Sequence, residues 1–272
     1  MSAVLVSPEE LREELVDTRI HLLDVRWALG DPNGPQHYLD GHLPGAVFVD
    51  LETELAAPPS PAQGRHPLPD TTHFQKCARS WGLTATEPVV VYDATGGLAA
   101  ARAWWLLRWA GVENVRILDG GLPAWIAAGG AIATGEEPAP DPGDLVVHPG
   151  ALSTIDIDGA ATWPGQLLDA RAAERYRGEV EPIDPQAGHI PGALSAPTTG
   201  NLDENGRFLP AEDLAERFAA LGEGPFAVYC GSGVTAAHQV AALAIAGLDA
   251  ALYPGSWSQW SNDSDRPVEK GA

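Results

Sequence analysis

Phe226-Ala-Val-Tyr-Cys-Gly-Ser-Gly-Val-Thr-Ala-Ala237 decides the fold. Phe226 to Tyr229 is a short apolar run suited to a buried central strand. A loop of small residues follows, and then an apolar stretch of helical length, Thr235 to Ala246, stopped by Gly247. Strand, loop and helix in this order are the building unit of a parallel sheet with helices on its faces, where chemistry sits just past a strand's carboxyl end. Cys230 falls there.

The same unit occurs upstream. Val90-Val-Tyr-Asp-Ala-Thr-Gly-Gly-Leu-Ala-Ala100 continues a strand over Val89 to Tyr92 into a helix over Leu98 to Ala110, stopped by Gly111. Two further pairs align: His21-Leu-Leu-Asp-Val-Arg26 with Gln166-Leu-Leu-Asp-Ala-Arg171, and Gly41-His-Leu-Pro-Gly-Ala46 with Gly188-His-Ile-Pro-Gly-Ala193. The copies keep their order, with residues 24, 42 and 93 matching 169, 189 and 230. So long a period indicates duplication of a whole domain. Between the copies, Thr134-Gly-Glu-Glu-Pro-Ala-Pro-Asp-Pro-Gly-Asp144 resists helix and strand and reads as an extended linker. The expected division is a first domain over 1–138, a linker over 139–149 and a second domain over 150–272. Each is an α/β domain with a mostly parallel sheet flanked by helices. Ser7-Pro-Glu-Glu10 reads as a capping box opening the first helix.

Composition narrows the function. The chain has 272 residues, 44% hydrophobic and 19% charged, enough to bury two cores and unlike the make-up of disorder. Its 16 basic against 37 acidic side chains give a net charge of -21, which repels phosphate backbones and anionic lipid, so neither nucleic acid nor membrane is an expected partner. No apolar run approaches a bilayer span, and Met1 to Glu14 carries acids where a signal peptide would be basic, so a cytoplasmic address is expected. The two cysteines, Cys77 and Cys230, are too few for a disulfide framework or a cysteine-only metal site. In a reducing compartment both are thiols; no metal and no cofactor is expected.

Features that both copies share are most simply scaffold, and the turn histidines His42 and His189 are read that way. The copies part chemically at Asp93 against Cys230, which makes the second half the active one. In Cys230-Gly-Ser-Gly-Val-Thr235 two glycines let the backbone curl so that successive N–H groups converge on one point, backed by the positive end of a helix dipole. A free cysteine, with a pKa of about 8.5, is only a few per cent ionised at neutral pH. Such a cradle favours the thiolate. A phosphatase would carry Arg six residues after the cysteine to clamp phosphoryl oxygens, but that position is Ala236. A cysteine phosphatase or arsenate reductase is therefore the weaker reading. The loop suits a sulfur atom held on sulfur as an anionic persulfide.

The chain resembles tandem-domain rhodanese-family sulfurtransferases over essentially its whole length. Tyr38-Leu-Asp-Gly-His-Leu-Pro-Gly-Ala46 resembles the family's N-terminal signature. Tyr253-Pro-Gly-Ser-Trp-Ser-Gln-Trp260 resembles the C-terminal one, with Gln259 where an acid is usual. The cysteine loop is similar to that of the 3-mercaptopyruvate branch; thiosulfate-preferring members tend to carry Arg and Lys after the cysteine. The resemblance implies two rhodanese-like domains, the first inactive, and a ping-pong reaction through a persulfide on Cys230. It implies a small anionic sulfur donor, 3-mercaptopyruvate or thiosulfate, and a thiophilic acceptor: cyanide, a thiol or a thioredoxin-like protein. A carrier passing persulfide to one dedicated partner is an alternative.

On the same resemblance Arg175 contacts the donor, the amides of Gly231, Ser232, Gly233, Val234 and Thr235 hold it, and Trp27 lines the pocket. His66, in His66-Pro-Leu-Pro69, either acts in a relay with Asp50 and Ser232 or is a loop histidine without a catalytic role. Ser232 either donates to leaving pyruvate or lines the loop. Arg171 has a counterpart in Arg26 and reads as structural, and Arg177 as a solvated surface residue. A second donor-binding arginine often follows Glu-Pro in the mercaptopyruvate branch, but here Glu181-Pro182 precedes Ile183 and Asp184. Donor preference stays open between the two. Trp104, Trp105 and Trp109 read as packing, and Cys77 as an ordinary helical thiol.

Overall fold

The computed structural model describes residues 3–272. The chain divides into two compact units that do not follow simply from chain order. The first comprises the chain up to Ala56 with Pro69–Leu152 and Glu204–Phe208; the second comprises Ala57–Leu68, Ser153–Asp203 and Leu209–Ala272.

In the first unit, strands β1 (Leu5–Val6), β2 (His21–Asp24), β3 (Val47–Phe48), β4 (Val89–Tyr92) and β5 (Val115–Leu118) form a sheet in the order β1-β5-β4-β2-β3. Every pairing is parallel. Helices α1 (Pro8–Asp17), α2 (Gly34–Asp40), α3 (Leu51–Glu54), α4 (Thr71–Ser80), α5 (Ala100–Trp109) and α6 (Gly121–Ala127) connect them. The sequence signals act where they stand: Ser7 accepts from the Glu10 amide at 3.2 Å, and Glu10 Oε2 accepts from the Ser7 amide at 3.0 Å.

The second unit holds β6 (Gln166–Asp169), β7 (Leu194–Ser195), β8 (Phe226–Tyr229) and β9 (Ala250–Leu252), parallel in the order β7-β6-β8-β9. Its helices are α7 (Ile157–Ala161), α8 (Ala173–Tyr176), α9 (Ala211–Ala219), α10 (Val234–Ile245) and α11 (Ser256–Trp260). The fifth strand has shrunk to a single parallel bridge, Thr154 with Leu252, at the place β1 takes beside β5.

The repeated motifs do the same structural work twice. Asp24 pairs in register with Tyr92 across β2 and β4, and Asp169 with Tyr229 across β6 and β8. Each tyrosine hydroxyl accepts the amide of its copy's turn, Leu43 at 3.0 Å and Ile190 at 3.1 Å. His42 stacks on Tyr38 at 4.0 Å and His189 on Tyr176 at 3.7 Å, and both rings are buried. Arg26 binds Asp24 at 2.8 Å, while Arg171 binds Asp169 at 2.9 Å and the Gly188 carbonyl at 2.7 Å.

Around these pairs the cores are apolar, with Leu22, Leu43, Val90 and Trp125 in the first and Leu167, Ile190, Tyr253 and Trp257 in the second. Full burial of one large apolar side chain stabilises by about 1.5–3 kcal/mol, against about 0–1 kcal/mol for an exposed ion pair, so these cores rather than surface charges hold each unit. Trp104, Trp105 and Trp109 are buried on α5. The Pro- and Gly-rich segment is extended and lies along the first unit, where the Gly143, Leu145 and His148 amides bind the carbonyls of Arg79, Leu83 and Ala110. Among the described residues no helix is long and apolar enough to cross a membrane.

Candidate functional site

β8 delivers Cys230 at its carboxyl end, and the chain turns at once so that α10 can begin at Val234. The turn requires Gly233: its φ of 82° is left-handed, and a Cβ there would stand 2.6 Å from the Pro254 carbonyl oxygen. With the backbone so folded, the Gly233 and Ser232 amides point at Cys230 Sγ from 3.1 and 3.4 Å. Val234 and Thr235 open α10, where amides lack intrahelical acceptors and the helix dipole is positive. The cysteine is 1% exposed.

The C-terminal motif supports this loop from behind. Cys230 O accepts from the Trp257 amide and Gly231 O from the Ser258 amide, each at 2.9 Å. The Cys230 amide donates to Ser256 Oγ at 3.2 Å. Ser256 is the one non-glycine residue with positive φ among those described, at 52°. Gln259, the departure from the usual acid, bonds the Tyr253 hydroxyl at 2.8 Å and the Ala62 carbonyl at 2.7 Å.

Segment 57–68 belongs to this unit and brings two side chains to the loop. His66 Nδ1 lies 2.7 Å from Ser232 Oγ, with both residues buried. Arg65, held by its amide to Ser258 Oγ at 3.0 Å, reaches over Gly231. A Cβ on Gly231 would meet Arg65 Nη2 at 3.0 Å and Arg175 Nη1 at 3.4 Å, so two guanidiniums flank the loop next to the sulfur.

Acids hold both arginines. Arg175 donates to Glu181 at 2.8 Å and to Asp184 Oδ2 at 3.2 Å, and Arg65 donates to Asp184 Oδ1. Burial pushes the Asp184 carboxyl up from the usual carboxylate value, against the pull of Arg65. Arg171 is buried between Asp169 and Glu181, and Arg177 pairs with Glu179 at the surface. A cleft of about 400 Å³, within the size range of small-molecule sites, opens beside this cluster, lined by Pro59, Pro61, Arg65, Ile183, Asp184 and Ser258. An anion-holding nest, a sulfur and two guanidiniums thus converge, an arrangement able to bind a small anion and stabilise negative charge on sulfur.

The rhodanese-like domain family matches residues 7–128 and 155–263. The chain belongs to the rhodanese family. A Pseudomonas aeruginosa rhodanese relative that carries the name 3-mercaptopyruvate sulfurtransferase is 49% identical over 282 residues, covering 99% of each chain. A Mycobacterium tuberculosis relative carrying the name thiosulfate sulfurtransferase SseB is 49% identical over 260 residues, covering 93% of this chain and 91% of the relative. The crystal structure of SseA from Escherichia coli, a 3-mercaptopyruvate sulfotransferase of the rhodanese fold, superposes with a TM-score of 0.82 at 35% identity over 94% of this chain and 99% of that one.

The first rhodanese unit closes the corresponding loop with a carboxylate. Asp93 Oδ1 accepts from the Thr95 and Gly97 amides at 2.8 and 2.9 Å, and Oδ2 from the Ala99 and Ala100 amides at 2.8 and 3.0 Å. This nest is intact, and its occupant is a side chain of the protein. Trp27 and Asp50 also lie in the first unit. Trp27 donates to Glu52 at 2.6 Å, and Asp50 caps α3 by accepting the Glu52 amide at 2.9 Å. Cys77, on α4, sits 3.5 Å from His73 Nε2 with no amide nest, and burial pushes its thiol up to about 11. No cluster of three or more His, Cys, Asp or Glu is placed to hold a metal among the described residues.

Sequence reasoning missed Arg65. It adjoins His66, a candidate in its own right, and it is a lone cationic side chain in a Pro-rich loop of an acidic chain. That was the available signal.

Proposed function

We propose that this protein is a sulfurtransferase that moves sulfane sulfur from 3-mercaptopyruvate to a thiophilic acceptor through a persulfide on Cys230. One observation carries the reading: two backbone amides aimed at Cys230 Sγ, with two guanidiniums over the adjoining glycine. Relatives named for this activity, matched along nearly their full length, support it.

In this reaction Arg65 and Arg175 take the donor's carboxylate, and the Cys230 thiolate attacks the donor sulfur. The donor C–S bond breaks with its electron pair on carbon, giving the enolate of pyruvate, which takes a proton on that carbon and leaves as pyruvate. Ser232, hydrogen-bonded to His66, hands that proton over. The amides of Gly231 to Thr235 stabilise the Cys-S-S anion. An acceptor thiolate attacks the outer sulfur, and the electron pair of the broken S–S bond returns to Cys230. Within this reading residues 1–138 are the inactive copy, 139–149 the linker and 150–272 the catalytic domain, with segment 57–68 lending Arg65 and His66 to the second unit. The acceptor is a small thiol or a thioredoxin-like protein in a reducing cytoplasm.

Thiosulfate as the preferred donor is the second reading. It is favoured by the absence, after Glu181-Pro182, of the arginine that the mercaptopyruvate branch often has there, and by the relative named for thiosulfate. The test is kcat/KM for both donors with one thiol acceptor. A higher value for 3-mercaptopyruvate, abolished in Cys230→Ser, is expected; undiminished turnover by that variant rejects the assignment.

A further inference from the structure

The arginines that reach the cysteine loop are already occupied. Asp184 spans the two guanidiniums, one carboxylate oxygen on Arg65 and the other 3.2 Å from Arg175. Its side chain is 2% exposed, and its amide is tied to Glu181 Oε1 at 3.0 Å. Pro182 and Pro185 stiffen the backbone on either side. Counting outward, Arg65, Arg175 and Arg171 face Asp184, Glu181 and Asp169. Three positive charges meet three negative ones, so the side chains around the sulfur present no net attraction for an anion.

A carboxylate bridging two guanidiniums makes the same charge-assisted hydrogen bonds that a donor's carboxylate would make. We propose that Asp184 is a specificity-determining residue: an internal anion that occupies the guanidinium seat beside Cys230, so that anionic donors bind by exchanging with it. The inference rests on the donor role given to Arg65 and Arg175 above. It follows that donor affinity in this protein is limited by its own carboxylate, and that a dianion such as thiosulfate is opposed more strongly than a monoanion such as 3-mercaptopyruvate. Ile183, 40% exposed on the wall of the adjoining cleft, gives the exchanging donor an apolar approach.

The experiment compares alkylation of Cys230 by iodoacetate, an anion, and iodoacetamide, its neutral counterpart, with peptide mapping to separate Cys77. In Asp184→Asn the iodoacetate-to-iodoacetamide rate ratio is expected to rise about tenfold, because one buried counter-charge is gone. Asp184→Glu, which restores the charge, is expected to return the ratio towards wild type. KM should fall for both donors in Asp184→Asn, more for thiosulfate, while kcat moves far less. Asp184→Ser provides a second charge-free variant should Asn fail to fold. A ratio within about twofold of wild type in the charge-free variant overturns the inference, since a merely structural Asp184 would not discriminate by reagent charge. Loss of turnover with either donor alongside a raised ratio rejects the donor reading and leaves the anion exclusion standing.

Discussion

Single residues carry the site. Gly233 is needed twice, for its left-handed φ and for its closeness to the Pro254 carbonyl. Gly233→Ala is therefore expected to cost about 1–3 kcal/mol in urea denaturation and to lower sulfur transfer with it, because the strain falls on the residue that aims an amide at the sulfur. Stability and turnover at wild-type level would refute that role. Arg65 makes a different prediction. Arg65→Gln removes the charge and the guanidinium fork and leaves one neutral amide on a shorter chain, so KM for 3-mercaptopyruvate should rise about tenfold or more while Cys230 still loads at saturating donor. An unchanged KM would assign donor binding to Arg175 alone.

At the scale of elements, much was legible because the deciding signals are local. The strands at 89–92 and 226–229 and the helices behind them follow from apolar runs, small-residue loops and terminal glycines. The stacked histidine turns follow from being repeated. Segment 57–68 was not legible: its prolines announce a loop, but the partners of Arg65 lie more than a hundred residues away at Asp184 and Ser258. Nor does a sequence say which amides of a nest reach a sulfur; two do so here, Ser232 and Gly233.

The acid–arginine cluster also makes a pH prediction. Because burial raises Asp184 from the usual carboxylate value, the folded protein, as pH falls, binds a proton there before the unfolded chain does. This contribution to stability therefore falls as pH rises through that window and is constant above it. The groups facing Asp184 are Arg65, Arg175 and Glu181. Lowering the pH from neutrality towards the carboxylate range should remove the bridging charge and decrease KM for thiosulfate in the wild type. The same titration in Asp184→Asn should show no such decrease, and equal behaviour of the two proteins would contradict the assignment.

The whole molecule is a duplication in which one loop design serves two ends. In the first unit a carboxylate fills the nest and fixes it; in the second a cysteine leaves sulfur at the same place. Asp93→Ala should therefore cost at least about 2 kcal/mol in urea denaturation, through three buried amides and one part-buried amide left unsatisfied, with kcat/KM far less affected. A drop in turnover without a drop in stability would mean the first copy takes part in the chemistry. The most direct measurement treats the protein with 3-mercaptopyruvate without an acceptor and weighs its cysteine peptides by mass spectrometry. A gain of one sulfur, about 32 Da, on the Cys230 peptide, absent from the Cys77 peptide and discharged by added thiol, is the predicted result. An unmodified Cys230 during sustained turnover would contradict it.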